Sequence, residues 1–335
     1  MLLKLLACSF IFLLLTGCYG GETNTTAINN DELIVEELIA FAHGILDYPE
    51  LGEDFVQFEY TGEEIRIWYD VEGWTSGTSS RFGLIFLVDG IPHQTRLEMG
   101  MGEVFRENQY MHDFALAYRE RLEFYVIFTP TVGELGETIA ITSIAIVTPN
   151  AIPDDIEHPS FYSSHTHLPM VLAQLKISSR VENRQQGFTT TDFQPISEEI
   201  HQFHRRWLTE NEAVEDILAE FPRLLLFPTG EESYFDFGGI ITANDNKVLA
   251  SLIVYGGQEV TSRVTFFVNH QPVAVNGYDF IEIQMRDGQM LLIELELTVE
   301  DLSQFNSLYA MMMPIGEDYL VQGMYGTHPV LLVNE

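Results

Sequence analysis

The densest run of side chains able to do chemistry lies between Pro153 and His167. Asp154, Asp155, Glu157 and His158 lead it, and His165 and His167 close it. In an extended strand, two imidazoles two positions apart share one face, and with carboxylates nearby they offer the nitrogen and oxygen donors that zinc or copper takes. Asp154, Asp155, His165 and His167 are therefore the candidate metal ligands, although two histidines in a loop are only a partial set.

Other polar residues point less far. His201 and His204 share a helix face, but Arg205 and Arg206 beside them disfavour a bound cation, so a solvated face is expected. Trp68 falls within a strand pattern and is expected in the core, whereas Trp74, in a Gly-Trp-Thr-Ser-Gly loop, is the better candidate for an exposed sugar-stacking ring. The nucleophile elbow, the Walker loop, the Ser-x-x-Lys pair and the His-Glu-x-x-His helix are all absent. Fifty acidic residues make every segment a candidate for carboxylate catalysis, so the sequence singles out no catalytic pair and no cofactor.

The elements that would position these groups come in two similar sets. The tetrapeptide TGEE stands at Thr61–Glu64 and again at Thr229–Glu232. VEELIA from Val35 resembles VEDILA from Val214, and LIFLVDGIP from Leu84 resembles VTFFVNHQP from Val264. SIAIVTP from Ser143 and the Thr166-His167 step are answered by SLYAMMMP from Ser307 and by Thr327-His328. Such a long period indicates a duplicated domain rather than a solenoid. TGEE then reads as a turn, with Gly62 and Gly230 supplying a permissive backbone.

Each unit opens with a short amphipathic helix. In the first, Leu33, Ile34, Leu38, Phe41 and Ile45 recur at helical spacing, and the second begins at the capping box Thr209 to Glu212. Beyond the helices the pattern turns to short strands. Leu291 to Leu297 alternates apolar residues with Glu294 and Glu296, and hairpin turns are expected at Val88-Asp89-Gly90-Ile91 and at Arg286-Asp287-Gly288-Gln289. The expected fold is mainly β, with two related antiparallel, immunoglobulin-like sandwiches each preceded by a helix. Residues 31–175 form the first unit, 176–208 a polar connector with a helix starting at Ser197, and 209–335 the second unit.

The N-terminus says where the chain goes. An apolar run from Leu5 to Leu15 follows Lys4 and is too short for a comfortable membrane span but suited to a signal-peptide core. It ends in Leu15-Thr16-Gly17-Cys18, which resembles the lipobox of bacterial lipoproteins. The resemblance covers only this terminus. It implies that residues 1–17 are removed, that Cys18 is acylated and that residues 18–30 are a flexible spacer. Cys8 lies in the removed part, so no thiol remains for disulfides, zinc-thiolate sites or cysteine nucleophiles.

A formal net charge of −34 excludes nucleic acid as a partner, since the phosphate backbone demands a basic footprint. Three lysines (Lys4, Lys176 and Lys247) leave 16 − 3 = 13 arginines, a skew suited to an alkaline or salty medium or to genomic bias. The functional expectation is an extracytoplasmic lipoprotein on the outer face of the cell membrane, in a Gram-positive host, with a non-catalytic binding or envelope-assembly role. Its expected partners are the membrane, through the anchor, and an envelope protein. The alternatives are a transporter's solute-binding lipoprotein and an extracytoplasmic hydrolase using carboxylates.

Overall fold

In the computed structural model the described residues are 41–46, 55–75, 79–100, 102–147, 149, 167–182, 184–206, 213–220, 222–230, 240–244, 246–316 and 323–334. The signal segment, Cys18, the spacer, positions 33–40 of the expected first helix and the capping box at 209–212 lie outside them.

The first half begins with β1 (Phe41–Ile45), β2 (Val56–Tyr60) and β3 (Ile65–Gly73). Period-two alternation makes β3: Ile65, Ile67, Tyr69 and Val71 are buried, and the residues between them face outward. Trp68 is one of these and is 38% exposed, which corrects its expected core position. A second correction concerns Phe41 and Ile45, expected on a helix. They lie on β1, paired antiparallel with β3, and Phe41 stacks on Phe82 with ring centroids 4.1 Å apart. Pairing and ring packing outweigh the helical spacing of those two side chains.

Then follow β4 (Ser80–Val88), β5 (Ile91–His93), β6 (Thr95–Glu98), β7 (Val104–Gln109), β8 (Met111–Leu116), β9 (Arg121–Phe128), β10 (Thr138–Val147) and β11 (His167–Ile177). One sheet runs β1-β3-β9-β6-β7; the other runs β2-β11-β10-β4-β5, with β8 also against β4. All pairs here are antiparallel except β2 with β11. Only Gln94 separates β5 from β6, so one extended run leaves one sheet and joins the other. Tyr69, Phe82, Phe86 and Phe124 fill the space between the sheets.

The second half comprises β12 (Gly187–Thr190), β13 (Phe193–Pro195), α1 (Glu198–Arg205), α2 (Val214–Glu220), β14 (Arg223–Pro228), β15 (Ile240–Asn244), β16 (Lys247–Tyr255) and β17 (Thr261–Val268). The chain ends with β18 (Gln271–Val275), β19 (Phe280–Gln284), β20 (Gln289–Thr298), β21 (Phe305–Pro314), β22 (Tyr325–Gly326) and β23 (Val330–Asn334). The connector helix forms where expected, its N-terminus capped by Ser197, whose Oγ accepts from the Ile200 N–H. The connector also supplies β12 and β13, which join the sheet through β19 and β20. Instead of two separate layers, the strands of this half make a single sheet. The circuit β17-β18-β20-β16-β15-β23-β21 closes because β21 pairs back onto β17, giving a barrel. Glu294 and Glu296 face outward from β20 as expected. The Arg286–Gln289 turn forms but is not a hairpin: β19 and β20 pair with other strands, and the turn carries the chain from one wall of the barrel to another.

The two halves share their order of pairing. The run β2, β11, β10, β4, flanked by β5 and β8, recurs as β15, β23, β21, β17, flanked by β18 and β19. Likewise β1-β3-β9-β6 recurs as β14-β16-β20-β18. The turns Asp89-Gly90 and Asn269-His270 both take positive φ, as the tight hairpins β4–β5 and β17–β18 require. TGEE does not follow this correspondence. The first copy joins β2 to β3, whereas the second follows β14, the counterpart of β1.

The halves meet through equivalent strands. The outer faces of β4 and β10 bring Ile85, Leu87, Ile144 and Ile146 against Phe267, Tyr309 and Met311 of β17 and β21. These strands are thus covered on both faces, which explains their near-continuous apolar sequences. Asp89, at the tip of its hairpin, accepts from Arg263 at 2.5 Å and from the Gly316 N–H at 2.9 Å. His270, at the tip of the other hairpin, reaches back to the Pro149 carbonyl at 2.7 Å.

Candidate functional site

Of the expected metal ligands, Asp154, Asp155 and His165 lie outside the described residues. His167 opens β11, and its ring lies against Tyr309 with centroids 4.1 Å apart. Among the described residues no cluster of three histidine, cysteine, aspartate or glutamate side chains is placed to hold a metal ion. His204 corrects the expectation of a solvated helix face: its Nε2 lies 3.1 Å from the Tyr255 hydroxyl, and burial lowers its pKa. Trp74 is half-buried.

The fully buried histidines are committed to the fold. His93 Nδ1 is 2.8 Å from the Ile91 carbonyl, which can only accept, so that nitrogen carries the proton. Its Nε2 then accepts from the Thr131 N–H at 2.9 Å. In His112 the proton sits on Nε2, facing the Thr95 carbonyl at 2.9 Å, and Nδ1 accepts from Gln109. His270 donates to Pro149 through Nε2 and accepts from the Tyr309 hydroxyl through Nδ1 at 3.1 Å. Burial brings His93 and His112 down to about 4 and also lowers His270. These imidazoles are neutral at ordinary pH.

His93 nonetheless borders a cleft of about 280 Å³. The cleft opens where the chain crosses from β5 to β6 at Gln94. Its apolar part is Pro92 with Ile127 and Phe128 at the end of β9. Asn108 and Tyr110 come from the β7–β8 junction, Thr129 and Thr131 from beyond β9, and Gln185 from the connector. Burial and the nearby Asp279 of the second half raise the Tyr110 pKa. Gln185 is placed by its N–H, which donates to the Thr131 carbonyl at 3.2 Å, and Gln186 is tied to Asp279 at 2.7 Å. The connector thus spans both halves beside the cleft.

On the rim, Arg96 is held in a fork. Its Nη1 and Nη2 donate to the two oxygens of Glu64 at 2.5 and 2.7 Å, and its Nε donates to Glu98 at 2.9 Å. Arg66 completes the chain by pairing with Glu98 at 3.0 Å and lying over the Tyr125 ring. These hydrogen bonds hold the Glu64 and Glu98 carboxyls below their usual range. No motif announces this cleft. Glu64, Arg96, Asn108 and Gln185 come from four separate segments, and the only linear hint is the interruption of an apolar run at His93-Gln94.

No family model matches the chain, and no curated protein matches it in sequence. Among solved structures, a Porphyromonas gingivalis protein of unknown function is similar at 9% identity, covering 83% of this chain and 94% of that one, with a TM-score of 0.21. A Salmonella enterica SafA pilin in complex with the SafB chaperone is similar at 10% identity, covering 88% and 97%, with a TM-score of 0.22. Red sea bream transglutaminase is similar at 6% identity, covering 88% of this chain but 31% of its own, with a TM-score of 0.19. Likenesses this distant carry no functional weight.

Proposed function

We propose that the chain is a bacterial lipoprotein tethered by Cys18 to the outer face of the cell membrane, with a non-catalytic role in binding or envelope assembly. The anchor rests on the signal core and Leu15-Thr16-Gly17-Cys18. Among the described residues, no helix is long and apolar enough to cross a membrane. The body is read as two related, immunoglobulin-like units derived by duplication. The shared order of strand pairing and the matched hairpins Asp89-Gly90 and Asn269-His270 support that reading.

The observation that supports a non-catalytic reading is the state of the buried histidines. His93, His112 and His270 each have both ring nitrogens engaged by protein partners, so they act as struts of the fold rather than as bases. The carboxylates nearest the cleft are tied to arginines in the same way. A solute-binding lipoprotein with two α/β lobes does not fit a mainly β architecture.

Crosslinking on intact cells, followed by purification from the membrane, tests the role. A protein partner recovered in stoichiometric amount is the expected result. Scattered neighbours alone, or turnover of a wall glycan abolished by one carboxylate substitution, would set the reading aside.

A further inference from the structure

We propose that the cleft at Gln94 is a binding subsite for a single neutral sugar ring. The inference rests on the binding role above and gives that role a ligand class. Place is the first ground: ligand sites favour the seams between units, and here the β5–β6 crossover and the connector meet beside Asp279 of the second half.

Charge is the second ground. The Arg96 guanidinium is compensated by Glu64 and Glu98, and His93 is neutral with both nitrogens occupied. Among the described residues lining the cleft, no uncompensated cation is left to hold a phosphate, sulfate or carboxylate. Glu64 is likewise paired and has no free charge to offer an ammonium group. The cleft therefore selects against ions of either sign.

The remaining groups suit hydroxyls. The Asn108 and Gln185 amides and the Tyr110 hydroxyl each donate and accept, as do the hydroxyl groups of a sugar. Pro92, Ile127 and Phe128 are themselves buried and pack beneath these polar groups as the floor of the cleft. A volume of about 280 Å³ fits one ring rather than an extended chain.

The test is ligand-observed saturation-transfer NMR on the full chain, in a detergent without a sugar headgroup. The probes are glucose, galactose, mannose and N-acetylglucosamine, with sulfate as a competitor. At least one sugar is expected to bind with a dissociation constant on the order of 1 mM. Asn108→Ala with Gln185→Ala is expected to weaken it about tenfold without moving the thermal midpoint. Tyr110→Phe, which removes only a hydroxyl, provides the same readout should the double variant fold poorly. No transfer to any of the four sugars, transfer insensitive to both variants, or displacement by sulfate would overturn the proposal. Because this readout needs no membrane or protein partner, its failure is distinguishable from failure of the crosslinking experiment.

Discussion

Three imidazoles set the pH behaviour of the fold. His43, His93 and His112 are each brought down to about 4 by burial, and His43 Nδ1 lies 2.6 Å from the Tyr69 hydroxyl. In the unfolded chain these rings titrate near 6.5. Between about 4 and 6.5 the unfolded state binds more protons, so stability is full above that window and falls as the pH drops through it. Each imidazole contributes up to about 1.4 kcal/mol per pH unit within it. Denaturant unfolding at pH 7.5, 6 and 5 should show a steadily falling midpoint, and His93→Gln should reduce the slope. A midpoint unchanged across those pH values would show that the rings are accessible to protons. Little of this was legible in the sequence, because His93 and His112 take their partners from Thr131 and Thr95, and no spacing announces such contacts. Trp68 shows the converse. Its strand was plain in the sequence, but which of the two faces is buried depends on the partner sheet.

At the level of elements, what could be read was local chemistry. The Asp89-Gly90 hairpin, the Ser197 cap and the outward Glu294 and Glu296 follow from residue types a few positions apart. The turn at Arg286–Gln289 was legible as a turn but not in its topology, since a Gly-containing turn ends a strand without naming the next partner. TGEE shows the same limit: its first copy joins β2 to β3, whereas its second begins just after β14. Connector strand β12 depends on a glycine that the sequence did not mark. A Cβ at Gly187 would lie 2.1 Å from a Phe280 ring carbon, where β12 pairs in parallel with β19. Gly187→Ala is expected to cost about 1–3 kcal/mol through overpacking. A lowered denaturant midpoint and faster proteolysis of residues 178–197 would register it. Wild-type values for both would mean that β12 does not rest on β19.

On the scale of the whole molecule, one chain forms two β halves joined face to face through equivalent strands, with buried Asp89 paired to the partly buried Arg263 at the seam. Arg263 also lies over the Phe280 ring and beside Glu282 at 3.5 Å. Removing one member of a buried pair leaves an uncompensated charge, so Arg263→Ala is expected to cost about 3–5 kcal/mol. Adding Asp89→Asn should restore part of that loss, and calorimetry of the two variants measures it. Equal stability of Arg263→Ala and the native protein would show that the hairpin does not dock across the seam. The apolar runs at β4, β10, β17 and β21 were legible as matched segments of the two units. That their second faces cover one another was not, because a run that is apolar throughout does not reveal what lies on each side.

Tethering through Cys18 is tested most directly by intact mass analysis of the N-terminal peptide from membrane-extracted protein. Cys18 is expected to be the first residue, carrying a diacylglyceryl thioether, and Cys18→Ala is expected to abolish the modification. An unacylated Cys18, or a chain that still begins at Met1, would contradict it.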